Sequence, residues 1–156
     1  METKAERLRA GAASLIQADA HSYLGVIKAQ RRAAAGTHAS QGAPARTGPG
    51  ADTHHRQRAV AGALSAAADV PMEVLEAGAE VAGLAARLAA DGNPNLRGDA
   101  VAAALLAEAG VRAATELVTI NLAGVPGDER PARARRLLRQ TARSARAAQQ
   151  PTDPGS

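Results

Sequence analysis

Residues 66–122 read AAADVPMEVLEAGAEVAGLAARLAADGNPNLRGDAVAAALLAEAGVRAATELVTINL, two alanine-rich helical runs joined by a Gly-Asn-Pro-Asn turn. A joint between two bundle helices needs a glycine to close the first and a polar starter for the second, and Gly92 and Asp99 serve those purposes. Asn93, Pro94 and Asn95 are more than the joint requires, so the turn is the first place to look for function.

Working outward, the 156 residues are one domain's worth, enough for a real core but not for two. Phe and Trp are absent and Tyr23 is the only aromatic, so Ala, Leu and Val must do the packing. Small side chains let helix axes approach closely, whereas sheets favour β-branched and aromatic residues. The expected class is all-α, a helical bundle of about five helices. There is no cysteine, hence neither disulfides nor a thiolate metal site. The N-terminus METKAERLR is charged and no apolar h-region follows it. No run approaches the roughly 18 apolar residues of a membrane span. These features predict a soluble cytoplasmic protein with no membrane partner.

The net charge of +4 is unevenly spread: residues 1–33 sum to +3, 34–53 to zero, 54–125 to −3 and 126–156 to +4. With a mildly acidic middle and almost nothing to stack on bases, the expectation is no nucleic-acid partner.

Apolar residues at Leu8, Ala12, Leu15, Ile16, Tyr23, Val26 and Ile27 predict one amphipathic helix over about 3–34. GTHASQGAPARTGPGADT then reads as a long flexible loop near residues 35–54. A second helix is expected over about 55–68, and a third from the turn holding Pro71 to about Ala90. The fourth, about 98–123, carries Glu108, Arg112 and Glu116 four apart, an ion-pair ladder on its wet side, and reads as the central, most buried helix. Gly124 to Gly127 breaks it. Asp128, Glu129 and Pro131 open a fifth helix ending near Gln149, so the domain is 1–149 and residues 150–156 a disordered tail.

Asp19 falls in the middle of the first helix's apolar stripe. A carboxylate buried there favours its protonated form and suits a proton donor, or else is satisfied by a helix end or an arginine. Asp99 opens the fourth helix, where free N–H groups and the macrodipole favour the ionised form, and capping alone would account for it. Environments that push two acids in opposite directions suit one acid and one base. Asn93 and Asn95 read as turn residues. Asn121 lies on the side of Val118 and Ala114, so its amide needs a partner, whether a core bond or a ligand. His21, His38, His54 and His55 show no metal-ligand spacing. On the last helix Arg135, Arg139, Arg143 and Arg146 fall within about 80° of one another, a solvated face by default and a polyanion site otherwise.

VPMEVLEAGAEV, GNPNLRGDAVAAALLAEA and TINL, with LIQADAHSYLGVIKAQR upstream, resemble in order and spacing the folate-dependent cyclodeaminase/cyclohydrolase family, which includes the cyclodeaminase domain of formiminotransferase-cyclodeaminase. The resemblance runs to about Asp128. It implies an all-α fold, usually a homodimer, a tetrahydrofolate substrate and no further cofactor. The implied reactions are cyclisation of formimidoyl-tetrahydrofolate to methenyl-tetrahydrofolate with loss of ammonia, or hydrolysis of the methenyl ring. Asp19, Asn93, Asn95, Asp99 and Asn121 fall on the family's motif positions, which implies proton transfer by Asp99 and Asp19, with the three asparagines orienting substrate. The chain departs from the pattern where Leu117 and Gly98 stand for the more usual Asn and Ser. It also starts after the two helices and Pro-Gly-Gly-Gly-Ser turn that open the family, so apolar faces are expected to lie open. The rival expectation is a non-catalytic helical module that binds folate or a partner protein.

Overall fold

The computed structural model describes residues 3–39 and 49–151, and among them every regular element is helical. In chain order these are α1 (Lys4–Ala39), α2 (Pro49–Ala67), α3 (Asp69–Asp91), a 3-10 turn (Pro94–Leu96), α4 (Arg97–Asn121) and α5 (Arg130–Gln149). The all-α bundle of five helices is as expected. The loop near 35–54 is shorter at both ends than its composition suggested. Three consecutive alanines, Ala33 to Ala35, carry α1 on, and Pro49 sits at the first position of α2, where its fixed φ favours a helix. The remainder of that loop, 40–48, and the tail residues 152–156 lie outside the described residues.

Each helix start has a local cause. At α1 the Thr3 hydroxyl accepts from the Glu6 N–H (3.2 Å) and the Glu6 carboxylate from the Thr3 N–H (2.6 Å), a reciprocal cap. The Thr3 bonds hold the Glu6 carboxyl below its ordinary range. A single residue, fully buried Ala68, separates α2 from α3, and Pro71 lies in the first turn of α3 as expected. Gly92 ends α3, its N–H returning to the Leu88 carbonyl. A Cβ there would collide with that same carbonyl, so close approach, not an unusual φ, requires the glycine.

The core is almost wholly Ala, Val and Leu. Leu75 of α3 and Val111 and Val118 of α4 are fully buried, while Tyr23 is 64% exposed. α3 is the central helix, packing on α1, α2, α4 and α5. The expectation that α4 is the most buried is therefore wrong: Leu106 is 74% and Ile120 66% exposed, and Leu105 and Leu117 are open too. The α4 sequence is apolar nearly all round, but only the face carrying Ala104, Val111, Ala114 and Val118 meets other helices. Arg112 pairs with Glu108 at 3.0 Å, the first rung of the expected ladder. Among its described residues α1 buries one side chain, Val26.

α3 and α4 touch closely at Gly78, where an added Cβ would lie 2.5 Å from Val111 Cγ2. Gly78→Ala therefore overpacks against a stiff β-branched side chain. It should destabilise the fold by about 1–2 kcal/mol after the gain in helix propensity is allowed for. Urea denaturation of Gly78→Ala, Val111→Ala and the double variant should show a double loss smaller than the sum, whereas strict additivity would rule out this contact as the limiting one.

A polar knot closes one end of the bundle. The Arg130 guanidinium donates to the Ser65 carbonyl (2.8 Å) and hydroxyl (2.6 Å), to Asp69 Oδ1 (2.6 Å) and to Asp128 Oδ2 (2.7 Å). It thus ties the end of α2, the start of α3 and the α4–α5 connection together. Hydrogen bonds from the Arg130 side chain and N–H hold the Asp128 carboxyl below its ordinary range, and Asp128 in turn raises Arg130. A depressed carboxyl stabilises the fold above its unfolded value, about 4, and the contribution fades as pH falls through the folded-state value. Asp128→Asn should accordingly lower the melting temperature at pH 7, with the gap to the parent narrowing below about pH 4. A gap unchanged at low pH would mean the charge is not what matters.

Candidate functional site

An apolar groove runs along the bundle with α3 as its floor and α1 and α4 as its walls. One half, about 740 Å³, is lined by Leu15 and Ile16 of α1, Val74 and Gly78 of α3, and Leu106 and Leu117 of α4. Asp19 is the one charged residue on this lining. The other half, about 530 Å³, shares Leu8, Ala12, Val81 and Ala103 with the first and ends at Asn93 and Asp99, with Arg9 alongside. Each half is within the range of small-molecule sites, and the lining has the usual character: mostly aliphatic with a few polar groups.

The groove brings together some of the sequence-derived residues and not others. Asp99 sits in the first turn of α4 and is exposed; the cap residue of that helix, Leu96, offers no side-chain bond, the 3-10 turn runs straight into the helix, and Asp99 adds a favourable charge there. Asn93 begins the 3-10 turn, its Oδ1 accepting the Asn95 N–H at 3.0 Å, which leaves its amide nitrogen for a ligand. Asn95 is exposed and off the groove lining. Asp19 is exposed, which corrects the buried-acid reading. The stripe 8, 12, 15, 19 does share one face, but that face borders an open groove and no helix covers it.

Asn121 belongs elsewhere. It is half-buried and its Nδ2 donates to the Ala67 carbonyl at 3.1 Å, tying the end of α4 to the end of α2 beside a separate cleft lined by Val60 and Leu64. The core-bond alternative is the one the geometry favours. His54 and His55 are exposed, and among the described residues no group of three His, Cys, Asp or Glu could hold a metal ion. Nor is any described helix long and apolar enough to cross a membrane.

Sequence reasoning missed Arg97. Its guanidinium reaches the Ala148 carbonyl (3.3 Å) and the Gln150 carbonyl (2.5 Å), so the turn bearing Asn93 and Asp99 is fastened to the last carbonyls of α5. The partners lie more than fifty positions away, and no local pattern could have signalled them.

A bundle of alanine-packed helices with two carboxylates along one apolar groove fits a small-molecule-binding domain. Residues 1–140 match the protein family described as formiminotransferase-cyclodeaminase. The match covers most of the sequence, so the chain belongs to that family, which is one of folate-metabolising enzymes. Among curated proteins none matches it significantly.

Removing the Asn121 amide strands the Ala67 carbonyl. Asn121→Ala should cost about 1–2 kcal/mol of stability in urea denaturation. A variant as stable as the parent would free Asn121 from its structural duty and return it to the list of ligand contacts.

Proposed function

We propose that the chain is a folate one-carbon enzyme acting on a tetrahydrofolate derivative in the groove between α1, α3 and α4. It either cyclises formimidoyl-tetrahydrofolate to methenyl-tetrahydrofolate with release of ammonia or hydrolyses the methenyl ring. The observation that carries the reading is membership of the family over residues 1–140. Its support in the fold is the groove, whose aliphatic walls suit a flat pterin and whose polar groups, Asp19 in one half and Asn93 and Asp99 in the other, suit its heteroatoms.

In cyclisation the folate N10 attacks the formimidoyl carbon. The N10 proton leaves to a base, and the departing nitrogen takes a proton as ammonia is expelled. Asp99, at the start of α4, is the base in this reading, and Asp19 the group that serves the leaving nitrogen. In hydrolysis the same base takes a proton from water as it adds to the methenyl carbon. Asn93 orients the substrate directly, Asn95 steadies Asn93 through its N–H, and Asn121 acts through its hold on Ala67. No metal or nucleotide enters either route. The protein works in the cytoplasm as a homodimer in this reading, and the open apolar side of α4, with Leu106 and Ile120, suits a second subunit.

One observation favours a second reading. Both acids are exposed, which is the weaker environment for an acid/base pair and is compatible with a non-catalytic module that binds folate or a partner protein. Calorimetric titration of the chain with tetrahydrofolate, followed by absorbance of methenyl-tetrahydrofolate, separates the two. The enzyme reading expects binding with turnover. It further expects that Asp99→Asn and Asp19→Asn each lower kcat by at least about 100-fold, the scale of a lost general acid or base, with the helical circular dichroism intact. Binding without turnover would leave the module, and unchanged rates in both variants would remove the two acids from the chemistry.

A further inference from the structure

α5 holds seven arginines and no acid, more positive charge than the chain's net +4, so the remainder of the molecule is net negative. Two are held in ion pairs: Arg130 in the polar knot and Arg133 with Glu76 at 2.9 Å. Arg135, Arg136, Arg139, Arg143 and Arg146 are all exposed, and none has an ion-pair partner among the described residues. At 100° per residue the five fall within an arc of about 100°, opposite the buried face of Ala134, Thr141, Ala145 and Ala148. They extend along about 16 Å of helix axis. An open cleft of about 560 Å³ lies among Arg136, Arg139, Gln140 and Arg143.

We propose that this row docks the phosphodiester backbone of double-stranded nucleic acid. A protein partner needs an apolar centre to its interface, and the row offers only the half-buried Leu137. A bilayer needs an apolar or aromatic anchor to hold a basic helix, but the apolar side of α5 is packed inside the bundle. A duplex backbone needs only a rigid line of cations. At 3.4 Å per phosphate along one strand, about 16 Å of helix faces about five phosphates, one per arginine. Guanidinium groups pair with phosphate oxygens two at a time, which a lysine cannot do. The sequence argued against nucleic acid because it lacks aromatics and is acidic in the middle. Stacking serves single strands, however, and the acids paired to α5, Glu76 with Arg133 and Asp69 and Asp128 with Arg130, all lie at the N-terminal end of the row. With no group positioned to read bases, binding is independent of sequence.

The test is fluorescence anisotropy of the full chain with a labelled DNA duplex of about 20 base pairs across a salt series. Five phosphate contacts predict a slope of log K against log salt near −4.5. Arg139→Gln combined with Arg143→Gln, both on the solvent face, should leave the helical circular dichroism unchanged, weaken binding at low salt and reduce the slope by about two. Duplexes of unrelated sequence should bind alike. The proposal is overturned by absence of binding at about 50 mM salt, by a slope the double variant does not change, or by stronger binding to oligo-glutamate or to phosphatidylserine vesicles than to the duplex.

Discussion

Everything in this bundle depends on how closely α3 and α4 approach. With no Phe or Trp, and with its one Tyr on the surface, the protein cannot fill space between widely separated axes. It gains its packing from short distances instead, with glycine and alanine at the contact and valine and leucine filling what remains. At Gly78 against Val111 that contact leaves no room for a Cβ, and α5 lays Ala134, Ala145 and Ala148 on the same pair. Such a core gives up hydrophobic area per residue and relies on fit, because small side chains have few rotamers with which to absorb error.

Polar groups set the relative placement of these helices. Buried Thr115 and Thr141 return their hydroxyls to the carbonyls four residues earlier (2.8 and 2.9 Å), so neither asks for a partner outside its own helix. Between helices the side-chain hydrogen bonds are few and come from residues at helix ends. Arg130 gathers α2, α3 and the start of α5, Arg97 joins the start of α4 to the end of α5, and Asn121 joins α4 to α2. One of these three clamps, Arg97, adjoins the turn at the polar end of the groove. The groove's polar end is therefore held by the same contacts that hold the fold.

The sequence was a good guide wherever the determining contacts were local. Helical period, the glycine ending α3, the proline opening α5 and the Asn-Pro-Asn turn are all short-range signals, and each is where it was expected. Two of the misreadings share one cause. Periodicity tells which residues lie on one face of a helix, but says nothing of whether another element covers that face. Asp19 lies on the apolar stripe of α1 as read, and Glu108, Arg112 and Glu116 line one side of α4 as read, yet the inferred burial fails because both helices border open space. Arg97 and Arg130 escaped for the opposite reason: their partners are distant in sequence, and an arginine on a helix looks the same whether it points at water or at a carbonyl.

α1, with Val26 its one buried side chain among the described residues, forms a wall of the groove while contributing little to the core. Segments with few buried apolar contacts open at a free energy well below that of global unfolding. α1 is such a segment, and it can separate from α3 while the α3–α4–α5 unit stays folded. Any molecule that fills the groove and touches both walls adds its own binding free energy to that local equilibrium. Occupancy would then be felt first as slower amide exchange along α1, and the groove's width would be governed by a population and not by a fixed distance.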